Sequence, residues 1–121
     1  MNISGVGTVI VPVGDQEKAL SFYLDTLGFE IRRDADFGGM RWVEVAPSGA
    51  TTTLALFPSG EAGSGGMEIS FTTKDADADH AALRARGVDA DEAVIRMGEI
   101  APPMFTFRDP DGNKFRMVQQ A

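Results

Sequence analysis

The chain carries one structural plan twice. Its first half contains, in order, a strand pattern, a helix pattern and three further strand patterns, and its second half repeats that order. Asp15 and Asp75, each a candidate helix N-cap, lie 60 residues apart, and Gly28 and Gly87, each a candidate helix end, lie 59 residues apart. Such self-similarity is the signature of a duplicated supersecondary unit. The duplication therefore predicts two βαβββ modules in a chain of 121 residues.

Strand and helix patterns mark out the elements of both modules. Four apolar residues recur at helical spacing after Asp15, and a second helix pattern follows Asp75. The predicted strands of module one (residues 3–57) are VGTVIVPV, FEIRRDA, MRWVEVA and TTTLALF. Those of module two (residues 67–119) are MEISFTT, AVIRM, MFTFR and KFRMVQ. A Gly/Ser-rich connector, residues 58–66, joins the modules.

The duplication also constrains the fold class. Each module can bury one face of its sheet under its single helix, and something else must cover the other face. Two such sheets that curl around one another leave a groove between them. We therefore expect an α+β fold in which residues 1–121 form a single domain of two curved mixed sheets with a concave groove.

Composition excludes several classes of protein. The sequence contains no cysteine, so neither a disulfide framework nor a thiolate metal site can form. No apolar run reaches the roughly 18 residues of a membrane span, and the N-terminus lacks the basic and cleavage regions of a signal peptide. The net charge of −7 repels phosphate backbones. We expect a cytoplasmic protein whose partners include neither nucleic acid nor membrane.

Strand alternation identifies candidate groove residues. Side chains of a strand point to opposite faces in turn. The aromatic and thioether side chains of KFRMVQ suit the helix-packed face, which directs Arg116 to the other face. The same alternation in MEISFTT and MRWVEVA directs Glu68, Trp42 and Glu44 away from the helices. A charged pair, a second carboxylate and an aromatic ring are therefore predicted to line the groove.

Three stretches of the sequence are similar to one known superfamily. They are VPVGDQEKALSFYLDTLGF (residues 11–29), ISFTTKDADADHAALRARGV (residues 69–88) and FRDPDGNKFRMVQ (residues 107–119). Together with the duplicated plan they resemble the vicinal oxygen chelate superfamily, which contains glyoxalase I, extradiol dioxygenases and bleomycin-resistance proteins. The resemblance covers nearly the whole chain and implies paired βαβββ modules and a homodimer. It does not distinguish between the activities of the superfamily.

The resemblance also implies where a metal would bind. Metal-using members take His, Gln or Glu ligands from the first and last strands of each module, and the corresponding positions in this chain include Thr8, Glu68 and Arg116. A guanidinium has no lone pair to give to a metal ion. It would also be repelled by roughly 4 kcal/mol per unit of charge at about 4 Å and an effective dielectric near 20. We therefore predict no metal and no other cofactor, with Arg116 in place of the cation beside Glu68.

Two functions remain open. The favoured hypothesis is a metal-independent small-molecule binding protein of the glyoxalase/bleomycin-resistance type, which holds a small organic ligand in the groove of a dimer. The alternative is a glyoxalase-like lyase, isomerase or dioxygenase with an atypical metal site, or a metal-free enzyme with Glu68 as its base. Arg116 either grips an anionic or carbonyl-bearing ligand or merely pairs with Glu68 in a vestigial site. The predicted ligand-binding residues are Thr8, Trp42, Glu44, Glu68, Met104 and Arg116.

Overall fold

Two separate sheets organise the chain. The computed structural model describes residues 1–60, 62 and 68–120. The backbone divides into two compact units, residues 1–62 and 63–121, and each unit builds its own four-stranded mixed sheet. This architecture confirms the predicted α+β class and the duplicated plan. That both modules form a single domain stays a prediction.

The first unit contains one short helical segment and four strands. Its elements are β1 (Thr8–Val13), α1 (Gln16–Ser21), a π-helical turn (Phe22–Thr26), β2 (Glu30–Phe37), β3 (Met40–Ala46) and β4 (Thr53–Pro58). The strand order is β1-β4-β3-β2. The strands β1 and β4 are parallel, and the other neighbours are antiparallel.

The second unit repeats this topology. Its elements are β5 (Glu68–Thr73), α2 (Ala76–Ala85), β6 (Asp89–Ala90), β7 (Met104–Arg108) and β8 (Lys114–Gln119). The strand order is β5-β8-β7-β6, with β5 parallel to β8 and the other neighbours antiparallel. Because order and direction match those of the first unit, equivalent positions in the two sheets can be read from the register.

The predicted helix boundaries follow from their capping residues. The side chain of Asp15 accepts hydrogen bonds from two amides in the first turn of α1, and Asp75 accepts one from the first turn of α2. Gly28 and Gly87 have φ angles of 75° and 77°, which is the left-handed conformation that ends a helix. Neither helix in the described part of the chain is long and apolar enough to cross a membrane.

Each sheet buries one face against its own helix. In the first unit Val43 and Val45 of β3 are fully buried. In the second unit Phe105, Phe107 and Phe115 are fully buried, and the rings of Phe107 and Phe115 stack with centroids 5.5 Å apart. The predicted alternation is therefore confirmed in these strands, and the residues between the buried ones point away from the helix.

The first helix differs from the continuous helix that the sequence predicts. The α-helical segment ends at Ser21, and a π-helical turn carries the chain on to Thr26. The amide of Leu27 donates to the carbonyl of Phe22 at 3.0 Å, which is the wider bond of a π-turn. This turn accommodates the adjacent rings of Phe22 and Tyr23 in the core, where they meet edge to face with centroids 5.3 Å apart.

The segment AVIRM is not a strand, so that prediction is wrong. The edge strand is the two-residue β6, and AVIRM makes one isolated bridge, between Ile95 and Met104. Asp91 explains the difference. Its amide donates to the carbonyl of Thr106 at 2.9 Å, while its carboxylate accepts from the amide of Thr106 at 3.1 Å. A side chain that replaces the backbone acceptor ends the ladder there.

The predicted connector, residues 58–66, lies partly outside the described residues. Pro58 is the last residue of β4, and the amide of Ser59 donates to the carbonyl of Val13 at 2.9 Å. Glu61 and residues 63–66 are not among those that the structure describes.

Candidate functional site

The face of the first sheet that carries no helix mixes polar and apolar side chains. Trp42 and Glu44 alternate along β3 with the buried valines and so lie on this face. The register of the sheet places residues of β1 and β4 beside them. We call this surface the first helix-free face. It is formed by Thr8, Ile10, Pro12, Trp42, Glu44, Thr53, Ala55 and Phe57.

A chain of hydrogen bonds crosses the first helix-free face from β1 to β3. The hydroxyl oxygens of Thr8 and Thr53 are 2.8 Å apart, and the Thr53 hydroxyl donates to Oε1 of Glu44 at 2.7 Å. The indole Nε1 of Trp42 donates to Oε2 of Glu44 at 2.7 Å. Because Thr53 gives its one proton to Glu44, the Thr8 hydroxyl is the donor to Thr53. Both carboxylate oxygens are therefore held, and they fix the orientation of the indole.

These hydrogen bonds keep Glu44 ionised. The bonds from Trp42 and Thr53, aided by the positive charge of Arg33 on β2, hold the pKa of Glu44 below its ordinary value, although partial burial opposes them. A carboxylate with a lowered pKa is a weak base near neutral pH. Glu44 is thus suited to orienting Trp42 and accepting hydrogen bonds, and it is poorly suited to abstracting a proton.

Beside the carboxylate the first helix-free face is apolar. The rings of Trp42 and Phe57 meet at 60° with centroids 6.1 Å apart. Ile10 is 49% exposed, whereas its neighbour in register, Ala55, is buried. Two aromatic rings and an aliphatic side chain next to a fixed carboxylate offer stacking area together with a hydrogen-bond acceptor.

The face of the second sheet that carries no helix is charged. Nη2 of Arg116 lies 2.8 Å from Oε1 of Glu68, which confirms that the two side chains form an ion pair. The side chains are 45% and 42% exposed, so water reaches the pair from solvent. The pair is therefore a surface ion pair, and its contribution to stability is small compared with that of a buried one.

Small polar residues flank Arg116 on both sides. Ser70 of β5 and Thr106 of β7 are its partners in register, so all three side chains point to the same side of the sheet. Further along β8, Val118 has Met104 as its partner on β7. We call this surface the second helix-free face. It is formed by Glu68, Ser70, Thr72, Met104, Thr106, Arg116 and Val118.

The six predicted ligand-binding residues fall into two groups of three. Thr8, Trp42 and Glu44 meet on the first helix-free face, and Glu68, Met104 and Arg116 lie on the second. Two further residues, Thr53 and Phe57, join and extend the first group, and neither was predicted from the sequence. Strand alternation in TTTLALF was the signal that could have found both, because it places them opposite the buried leucines of β4.

The residues at the metal-ligand positions do not form a donor set for a metal. Thr8 and Glu68 are the first residues of β1 and β5, and Arg116 is the third residue of β8. The equivalent third residue of β4 is Ala55, a position that was not predicted from the sequence. A methyl group and a guanidinium cannot coordinate a metal ion. Within residues 1–60, 62 and 68–120, no three His, Asp or Glu side chains cluster as a metal site would require.

Similarity to known proteins agrees with the fold. The sequence profile of the Glyoxalase/Bleomycin resistance protein/Dioxygenase superfamily matches residues 5–117, so the chain belongs to this superfamily. The protein YetH of Bacillus subtilis (strain 168) is 34% identical over 123 residues, which span 97% of this chain and 99% of YetH.

Two solved structures are also similar over their whole length. TnmS3, an antibiotic binding protein from Streptomyces sp. CB03234, is 38% identical with a TM-score of 0.88, and the match covers 100% of this chain and 99% of TnmS3. A member of the same superfamily from Sphaerobacter thermophilus DSM 20745 is 36% identical with a TM-score of 0.87, and the match covers 99% of this chain and 100% of that protein.

Proposed function

We propose that this protein binds a small organic ligand without a metal ion and that the ligand stacks on Trp42. The observation that carries the proposal is the fixed indole on the first helix-free face. Its Nε1 is held by Glu44, and Glu44 is held in turn by Thr53. A preorganised aromatic surface loses little conformational freedom when a ligand binds, which favours affinity.

The chemistry of the first helix-free face favours a planar ligand with a polar substituent. Trp42 and Phe57 supply ring surface, and Glu44 supplies a charged acceptor beside it. An amine, amide or hydroxyl on the ligand can donate to this acceptor or to the hydroxyl of Thr8, which is exposed. That TnmS3 is an antibiotic binding protein supports the same class of function.

The residues at the metal-ligand positions and the ionised state of Glu44 both favour ligand binding over catalysis. The metal-ligand positions carry a hydroxyl, a methyl, a carboxylate and a guanidinium. This set cannot hold the metal ion that would act as a Lewis acid. Glu44 is held by its neighbours as an ionised hydrogen-bond acceptor. A protein that sequesters its ligand needs neither a metal nor a base, and a tightly held aromatic surface serves that purpose.

Thermal unfolding in the presence of EDTA tests the proposal. The probes are a panel of antibiotics that differ in the planarity of their rings, with bleomycin among them. A bound ligand stabilises the folded protein by mass action, so Tm should rise with ligand concentration for the planar members. The rise should be the same when Zn²⁺ or Mn²⁺ replaces the EDTA. Mass spectrometry should recover the ligand unaltered. Stabilisation that requires a metal, or a chemically changed ligand, would instead support the enzyme alternative.

We also propose a cytoplasmic homodimer. Exposed large apolar side chains support an interface with a second copy of the chain. Ile100 is 89% exposed, and Ile95 and Met97 are each nearly half exposed. The net charge of −7 supports the absence of nucleic acid as a partner. Light scattering at tens of micromolar protein should give about twice the mass of one chain. A monomer at that concentration would contradict the dimer and leave the ligand proposal standing.

A further inference from the structure

We propose that the second helix-free face binds the carboxylate of an organic acid, with Arg116 as its anchor and with Met104 and Val118 beneath the apolar body of the acid. This inference rests on the proposed function, because it names a carboxylate as one chemical group of a small-molecule ligand. It is tested by binding at Arg116, whereas the proposed function is tested by binding at Trp42.

The guanidinium of Arg116 has donors that its ion pair does not use. The contact with Glu68 joins one terminal nitrogen, Nη2, to one carboxylate oxygen at 2.8 Å. A guanidinium carries five N–H donors in a planar fork, and that fork matches the two oxygens of a carboxylate. Since 45% of the Arg116 side chain is exposed, a second carboxylate can approach the remaining donors from solvent.

The neighbours of Arg116 leave its guanidinium uncovered and add donors of their own. Ser70 and Thr106, directly beside it in register, have short side chains that cannot reach over an arginine. Each carries a hydroxyl that can donate to an anion. A long side chain at either position could cover the arginine instead.

An apolar patch begins two residues further along β8. Val118 lies on the same face as Arg116, at a distance of roughly 7 Å along an extended strand. Met104 stands beside Val118 in register, and both are partly exposed. A carboxylate bound at Arg116 therefore sets an attached ring over a valine and a thioether, and thioethers make favourable contacts with aromatic rings. The spacing favours an aryl or alkyl carboxylate over a small inorganic anion.

Glu68 acts as an internal competitor for the ligand's carboxylate. It occupies one side of the guanidinium, and its negative charge repels a second carboxylate. Because Glu68 is 42% exposed, its pairing is weak and a ligand can replace it. Removing the charge of Glu68 should therefore strengthen ligand binding by about two- to fivefold, which corresponds to the usual strength of an exposed ion pair.

Titration of the full chain with benzoate, followed by NMR at the Arg116 Nε–Hε group and the β8 amides, tests this inference. Acetate keeps the charge without the ring, and benzyl alcohol keeps the ring without the charge. We expect saturable shifts with benzoate, weaker binding of acetate, and no guanidinium shift with benzyl alcohol. Arg116→Gln should abolish benzoate binding, and Glu68→Gln should strengthen it.

Arg96→Gln is the matched control, because Arg96 is an exposed arginine that also pairs with a single carboxylate, that of Asp77. This substitution should leave benzoate binding unchanged. Benzoate binding that survives Arg116→Gln would overturn the inference. Weaker benzoate binding to Glu68→Gln would also overturn it. This variant keeps the arginine, so it decides the question even if Arg116→Gln folds poorly. Equal NMR shifts of Arg96 and Arg116 with benzoate would show only that the anion screens charges in general. That result would also overturn the inference.

Discussion

The indole of Trp42 donates to the carboxylate of Glu44 at 2.7 Å, two residues further along the same strand. Residues at this spacing share a face of the sheet, so the bond locks the ring against its own strand. Thr53 on the neighbouring strand holds the other carboxylate oxygen. The orientation of the one tryptophan in the chain therefore depends on an ionised glutamate.

The stability contributed by Glu44 should disappear in acid. Its pKa is lowered in the folded protein, chiefly by the hydrogen bond from Trp42, so the folded state binds its proton less readily than the unfolded state does. This stability is fully present above the ordinary glutamate pKa of about 4.3. It is lost as the pH falls through the lower pKa of the folded protein. The free energy of unfolding of wild type should exceed that of Glu44→Gln by about 1 kcal/mol at neutral pH, and this difference should shrink in acid.

Glu99→Gln is the control for this pH dependence, because it removes one carboxylate from an exposed position. The difference between wild type and Glu99→Gln should vary far less with pH. The emission of Trp42 should change over the same acid range in wild type and should be insensitive to pH in Glu44→Gln. Parallel pH profiles for the two substitutions would contradict the role of Glu44.

Thr53→Val should destabilise the protein although valine has nearly the same shape as threonine. The hydroxyl of Thr53 is buried and bridges Thr8 to Glu44, and its loss leaves Oε1 of Glu44 without that donor. We expect a loss of about 1–2 kcal/mol in the free energy of unfolding, measured by urea denaturation. Thr51→Val, the same change at an exposed position nearby, should stay within about 0.5 kcal/mol of wild type. Equal effects of both substitutions would show that the bridge contributes nothing.

The ion pair between Arg116 and Glu68 should behave as a surface pair. A double-mutant cycle with Glu68→Gln and Arg116→Met should give a coupling energy of about 0.2–1 kcal/mol, because both side chains are more than two fifths exposed. The coupling should fall further in roughly 1 M sodium chloride. A coupling of about 3 kcal/mol or more is typical of a buried pair and would mean that the pair is desolvated in solution.

The purified protein should retain no transition metal. After dialysis against Zn²⁺, Mn²⁺, Fe²⁺ or Ni²⁺, elemental analysis should find far less than one ion per chain, because Arg116 and Ala55 occupy positions where ligands would be needed. Glu68→Ala tests whether any bound ion uses this carboxylate. About one tightly held ion per chain that is lost in Glu68→Ala would reverse the choice between a binding protein and an enzyme.

The sequence predicts the faces of strands more reliably than it predicts their contacts. Alternation alone places Trp42, Glu44 and Arg116 on the helix-free faces, because each of them is next to a buried apolar residue that fixes the direction of its side chain. The bridge between Thr8 and Thr53 depends on the register of two strands 45 residues apart. That register is set by the packing of the whole unit and cannot be obtained from either strand alone.

Local composition was also a poor guide where a side chain competes with the backbone. The β-branched residues of AVIRM are typical of a strand, yet Asp91 bonds to Thr106 and ends the edge strand before them. The exposure of Arg116 could not be predicted from the sequence either. It follows from the small size of Ser70 and Thr106, which become its neighbours only in the folded sheet.

Calorimetric titration in EDTA, with the antibiotic that most raises Tm, tests the central claim most directly. We predict saturable binding of one ligand per chain to wild type, and at least about tenfold weaker binding to Trp42→Leu, as expected for a stacking residue at the centre of a site. Phe29→Leu, which replaces a partly buried aromatic residue packed on Tyr23, should bind the ligand as wild type does. Unchanged affinity in Trp42→Leu, or binding that appears only when a divalent metal is restored, would contradict metal-independent binding on Trp42.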